Sequence, residues 1–237
     1  MHMNVRPIKT RVFKEGEILE SFLEKYLPRL AERTIVVITS KIVALAQGRV
    51  APGGTKRTKV ALIRKESEIA LHTKYVWLTL KDGTVMASAG IDESNANGKL
   101  ILLPLHSFAV AASLRTWLRR TYHVKQVGVL ITDSRTTPLR AGVTGMAVGY
   151  AGFQGIRDYR GRQDLFGRKF HFSRVNVADS LATAAALTMG EGAEQQPLAV
   201  ITGAPVEWTT KLTPRELWID PRDDMYAPLL TLLQRNK

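Results

Sequence analysis

The run QVGVLITD at 126–133 is the clearest β-strand in the chain, and it ends on an aspartate followed by Ser134. Short β-branched runs read as strands, and TIVVIT at 34–39 and PLAVIT at 197–202 add two more. Helical patterns stand between them. Ile18, Phe22, Tyr26 and Leu30 recur four apart over 17–33, SKIVALAQGRV begins at Ser40 and stops near Gly48, and 108–122 is alanine-rich. A further alanine-rich helix at 182–189 is ended by Gly190. KYVWLTL at 74–80 predicts a strand before the hairpin turn DGT at 82–84. KFHFSRVNVA at 169–178 alternates as another strand, and GGTKRT at 53–58 reads as a basic hairpin. The order lacks the β-α-β-α rhythm of a doubly wound sheet, so the fold class is α+β, with mixed sheets and helices. Without an internal repeat or a Pro/Ser-rich linker, one domain over 1–237 is expected, two intertwined lobes being the alternative.

Several function classes fall away on composition. With no cysteine, disulfides, thiolate metal sites and a cysteine nucleophile are excluded, and a reducing cytoplasm is the expected location. The first residues show no apolar signal-peptide core, and no apolar run approaches the ~20 residues of a membrane-spanning helix. The formal net charge of +13 attracts anions: nucleic acid, anionic membranes or phosphorylated metabolites. Arginine dominates the stretch from Asp133 to Arg174, and its planar fork suits carboxylates and phosphates. Glycines 142, 145, 149, 152 and 155 punctuate the same region, which predicts a loop-rich connection with tight turns and close backbone approach.

The chain has no Walker loop, no dinucleotide fingerprint, no G-x-S-x-G and no H-E-x-x-H. Its five histidines are dispersed, and His106 reads as a helix-start residue. Oxygen chemistry remains. IDESNANG at 91–98 places Asp92, a serine and two amides in one turn, Asp133 ends the strongest strand, and Glu191 opens the loop after a helix. Carboxylates and a hydroxyl at such positions are ligands for Mg2+ or Mn2+, although spacing alone does not bring them together.

SKIVALAQGR, SAGIDESNANG, LITDSRTTPLRAG, GIRDYRGRQDLFGR and LTMGEGAEQQPLAVITG occur in an order that resembles the coenzyme F420:L-glutamate ligase family over almost the whole chain. DSRTTPLR, where the coenzyme F420 enzymes read DTFGRPWR, is similar to a bacterial branch of γ-glutamate ligases linked to folate metabolism. The resemblance implies an intertwined homodimer that binds GTP and divalent ions, Mg2+ or Mn2+ (two of them, with K+ a further candidate). It also implies amide-bond formation between L-glutamate and an acceptor carboxylate, that of coenzyme F420-0 or a folate. Carried onto this chain, the metal positions are Asp92, Asp133, Ser134 and Glu191, with Asp92 and Asp133 the catalytic candidates. The nucleotide positions are Thr10, Arg11, Val12, Phe13, Ser40, Asn95, Gly190 and Gly192.

Leu45 stands where the coenzyme F420 enzymes carry a nucleotide-contacting lysine, and TRVF replaces LPEF, so GTP and ATP both stay open. Charge and placement make Arg135, Arg140, Arg157 and Arg160 candidates for substrate carboxylates. The partners expected are small molecules rather than nucleic acid or a membrane. A basic nucleic-acid-binding protein, supported by Phe153, Tyr159, Phe166 and Phe170 among the arginines, is the alternative, as is an inactive nucleotide-binding homologue. If the ligase reading holds, Asp92 and Asp133 should approach within one coordination sphere.

Overall fold

The computed structural model describes residues 2–228. In chain order the elements are β1 (Asn4–Ile8), α1 (Leu19–Tyr26), β2 (Thr34–Thr39), α2 (Ser40–Ala46), β3 (Val50–Pro52) and α3 (Lys56–Lys65). Then come β4 (Ile69–His72), β5 (Trp77–Lys81), β6 (Thr84–Ala87), a 3-10 turn (Ser88–Gly90), β7 (Lys99–Ile101) and α4 (Ser107–Thr121). The remainder is β8 (Val127–Arg135), β9 (Thr144–Ala151), β10 (Ile156–Asp158), β11 (Arg174–Asn176), α5 (Val177–Met189) and β12 (Leu198–Thr202). The fold is α+β.

A five-stranded sheet in the order β1-β12-β2-β8-β9 organises the chain. Only β2 and β8 run parallel; the other pairs are antiparallel. Both faces of its centre are covered, which is why the strands read as unbroken apolar runs. Val36, Ile38, Val127, Val129, Ile131, Leu198 and Val200 join one core with residues of α1, α2 and α4. Ile35, Val37, Leu130, Ala199 and Ile201 join a second core with α5. The parallel β2–β8 pair needs a long crossover. That crossover carries an excursion in which the β4-β5-β6 meander, β7 and α3 surround a small core of Ile63, Ile91, Leu100 and Leu102.

Four local expectations need correction. The helix expected over 17–33 ends at Tyr26, because Pro28 disfavours helical backbone at Leu27, which is extended at φ −69° and ψ 137°. The segment 53–58 is no hairpin: Thr55 caps α3 by accepting a hydrogen bond from the Thr58 N–H. Of the strand expected over 169–178, only Arg174–Asn176 pairs, with β10. Asn176 then accepts from the Asp179 N–H at 2.9 Å, and α5 starts at Val177.

The glycine-punctuated region holds the regular edge strand β9 rather than only loops. Its glycines serve close approach: a Cβ on Gly145 would lie 2.2 Å from the Ala182 carbonyl oxygen, and one on Gly149 2.6 Å from the Ser107 backbone. The DGT turn is as expected, with Asp82 and Gly83 both at positive φ. Among the described residues no helix is long and apolar enough to cross a membrane.

Candidate active site

The turn after the 3-10 segment is pinned before it is functional. Asp92 and Ile101 exchange both backbone hydrogen bonds, at 2.9 and 2.8 Å. Asn95, Asn97 and Gly98 take positive φ, which amide side chains and glycine tolerate. The Asp92 carboxylate accepts from the Ser94 N–H at 2.7 Å and from the Ser94 hydroxyl at 2.9 Å. Its second partner is the ammonium of Lys41, 2.8 Å away on α2. Burial alone would raise the Asp92 pKa; the bonds from Lys41 and Ser94 outweigh it and hold the group below the usual carboxylate range.

Asp133 lies at the open end of β8 and behaves in the opposite way. Burial pushes it up to about 6, against the Ser134 N–H and the Ser40 hydroxyl that donate to it. The negative charge of Asp92 raises it further, and the positive charge of Lys41 opposes. Glu191 follows Gly190, whose φ of 83° ends α5. Burial raises Glu191 as well, partly offset by the Ser134 hydroxyl and Lys41, while Asp92 and Glu194 push it up.

These mutual influences join the ends of β8 and α5, the start of α2 and the turn at 91–98. Asn95 Nδ2 donates to the Gly192 carbonyl at 3.0 Å, and the Thr10 N–H donates to the Gln195 carbonyl at 2.9 Å, so both flank the loop after α5. Arg11 is ion-paired with Glu17 and lies over the Phe22 ring, against which Phe13 packs edge-on; Val12 is exposed. The Leu45 carbonyl accepts from the Gly16 N–H, which brings the N-terminal segment beside α2. Next to the 91–98 turn is a cavity of about 480 Å3 lined by Gly54, Lys56, Lys59, Glu93 and Lys99.

The donor set fits a hard divalent cation in chemistry: oxygen only, and three carboxylates against the single ammonium of Lys41. Among the described residues no three His, Asp or Glu side chains stand close enough to form a ready-made metal cluster. Lys41 supplies the positive charge at Asp92 instead. Reading the sequence missed Lys41, one of 34 basic residues, because nothing in its local pattern separates it from a solvated lysine.

The four arginines part company. Arg135 sits two residues beyond Asp133 and pairs with Asp179 at 3.0 Å. Arg157 on β10 donates to the Pro205 carbonyl, Arg160 is paired at 2.6 Å with its neighbour Asp158, and Arg140 is exposed on the loop after β8.

The sequence profile described as F420-0:Gamma-glutamyl ligase matches residues 7–203. The coenzyme F420:L-glutamate ligase of Archaeoglobus fulgidus is 32% identical over 224 residues, covering 86% of this chain and 88% of that protein. A protein of the same name from Methanopyrus kandleri is 32% identical over 216 residues, covering 83% and 84%. One from Methanococcus maripaludis is 35% identical over 175 residues, covering 73% and 70%.

Proposed function

Because this chain belongs to the F420-0:gamma-glutamyl ligase family, we propose that it adds L-glutamate through an amide bond to an acceptor carboxylate, that of coenzyme F420-0 or a folate, driven by GTP or ATP. The observation that carries this reading is the family match over residues 7–203; in the structure the Lys41–Asp92 ion pair and the Asn95–Gly192 hydrogen bond bring the 91–98 turn against α2 and the loop after α5.

A carboxylate does not condense with an amine in water unless it is activated. An acceptor oxygen attacks the γ-phosphorus, the β–γ bridging bond breaks, and nucleoside diphosphate leaves with the electron pair. The glutamate nitrogen then attacks the acyl carbon of the resulting acyl phosphate. The bond from carbon to the phosphate oxygen breaks, inorganic phosphate departs, and the nitrogen releases its proton. Such transfer is catalysed by positioning and charge neutralisation. Asp92, Asp133, Ser134 and Glu191 would hold Mg2+ or Mn2+, which supplies positive charge to the phosphate oxygens. Thr10 to Phe13, Ser40, Asn95, Gly190 and Gly192 would contact the nucleotide.

The test offers L-glutamate, Mg2+ or Mn2+, and GTP or ATP to the purified protein with each acceptor in turn. Mass spectrometry should find one acceptor gaining glutamate, matched by nucleoside diphosphate. No gain with either acceptor under either nucleotide would overturn this reading.

A homodimer belongs to the same proposal. The excursion between β10 and β11 leaves Leu165 98%, Phe166 93% and Phe172 90% exposed, which is expensive surface for a monomer. A second copy of the chain is the proposed cover. Light scattering should give twice the chain mass for the parent protein and the single mass for Phe166→Asp combined with Phe172→Asp. A parent monomer, or a variant that stays dimeric, would reject this surface.

A further inference from the structure

A second cavity, of about 640 Å3, opens at the end of β8, beyond its pairing with β2, where β9 alone still pairs with it. Its walls include Phe108 at the start of α4, Arg135 and Met146 of the central sheet, Asp179 of α5, and Leu212 and Trp218. Three independent features point to an anionic ligand with a flat body. Arg135 Nε is buried and has no hydrogen-bond partner among the described residues, although the same guanidinium pairs with Asp179 through Nη2. A buried donor left unpaired is costly, and an acceptor atom of a ligand would satisfy it. The 15-residue helix α4 has no side-chain cap: His106 holds the N-cap position at φ 51°, and the first-turn residues line the cavity. Free N–H groups and the positive end of the helix dipole favour negative charge there. Trp218 and Phe108 add aromatic surface to the walls.

The wall carrying Trp218 is fixed. Glu216 accepts from the Tyr150 hydroxyl and from the Gly155 N–H, both at 2.6 Å, and Leu217 packs on the second core. The Trp218 indole lies against Gly83 of the hairpin turn, where a Cβ would come within 2.7 Å of it. This wall lies outside residues 7–203, the part matched to the family. Along an extended strand, at roughly 3.3 Å per residue, Arg135 is about 7 Å from Asp133. A ligand anion on Arg135 therefore lies within reach of the carboxylate cluster.

We propose that this cavity is the acceptor site: an anionic group binds Arg135 and the start of α4, and a flat heteroaromatic body lies against Trp218. The segment 212–219 thus selects the acceptor. The inference rests on the ligase reading only in taking the ligand to be the acceptor.

The experiment measures equilibrium binding of two probes, coenzyme F420-0 and folic acid, by dialysis to the full chain, with GTP and ATP affinity as the internal reference. Trp218→Ala and Leu212→Trp remove the aromatic surface and narrow the cavity; both positions are at least 42% exposed, so folding should survive. Each should weaken the bound probe by about tenfold or more, Trp218→Ala by losing one aromatic stack and Leu212→Trp by filling the space the ligand needs, with nucleotide affinity unchanged. Arg135→Gln should do the same. Probe affinity within twofold of the parent in any variant overturns the assignment, as does equal loss of probe and nucleotide, or a parent protein that binds neither probe. Probe binding that depends on these residues without glutamate transfer would sink the ligase reading and leave the cavity standing. Glutamate transfer with an unchanged acceptor KM in the variants would do the reverse.

Discussion

Asp133→Asn is expected to abolish glutamate transfer, by on the order of 100-fold or more, and at the same time to stabilise the metal-free protein above pH 6. The reason is the environment of the carboxylate. Burial raises Asp133 from 3.8 to about 6, so the folded protein holds a proton that the unfolded chain releases. Between these values the unfolded state binds fewer protons, and stability falls as pH rises through the window. At about 1.4 kcal/mol per unit, the ionised group costs the fold ~2–3 kcal/mol above pH 6, which a neutral amide avoids.

Thermal melts of both proteins in chelator should therefore coincide below pH 4 and separate by several degrees at pH 7.5, the variant being the more stable. Mg2+ or Mn2+ should raise the midpoint of the parent protein and not that of the variant, because only the parent gains a bound ion on folding. A proton competes with a metal for the same carboxylate, so transfer should also decline below about pH 6. A variant less stable than the parent at pH 7.5 would show that the carboxylate is satisfied by its neighbours.

Glu66→Ala should cost about 1–3 kcal/mol, less than the full loss for a wholly buried ionic group because this one is half-buried. Glu66 ends α3 and takes Arg49 Nη2 at 2.6 Å and Lys81 Nζ at 2.9 Å, with all three side chains less than 20% exposed. Lys81 also bonds the Glu66 carbonyl, and Arg49 Nε bonds that of Leu103. Without the carboxylate two half-buried cations lose their shared partner. Burial would raise the Glu66 pKa, but the bonds from Lys81 and Arg49 prevail and hold it below its ordinary 4.5. Its contribution is thus complete above that value and is lost as pH falls through the lower folded value. Urea titration at pH 7 measures the loss, and a change under 1 kcal/mol would refute the account. Since Lys81 lines the proposed acceptor cavity, the variant should also bind acceptor less well.

Much of this protein is legible in one dimension. β2, β8 and β12 announce themselves because strands buried on both faces need no polar alternation. Asp92, Ser134 and Glu191 stand out as short oxygen donors in turns and at element ends, where side chains are free to bind. The long family blocks add their order. Two elements outside these strands were harder to read: α3 begins at a Gly-Gly-Thr that resembles a turn, and β9, after β8, hides among glycines that exist for helix contact rather than for loops.

What the sequence determined by itself is the set of local preferences: strand, cap, turn, ligand type and net charge. Each depends on neighbours within a few residues. The tertiary structure alone decided that Lys41 sits on Asp92, that Asp133 is half-buried under the influence of a second carboxylate, and that Trp218 closes a cavity on Arg135. Those facts depend on the sheet order β1-β12-β2-β8-β9, which brings the C-terminal ends of β2 and β8 and the start of β12 to one end of the sheet. Electrostatic energy follows distance through space and the local dielectric, and chain spacing encodes neither.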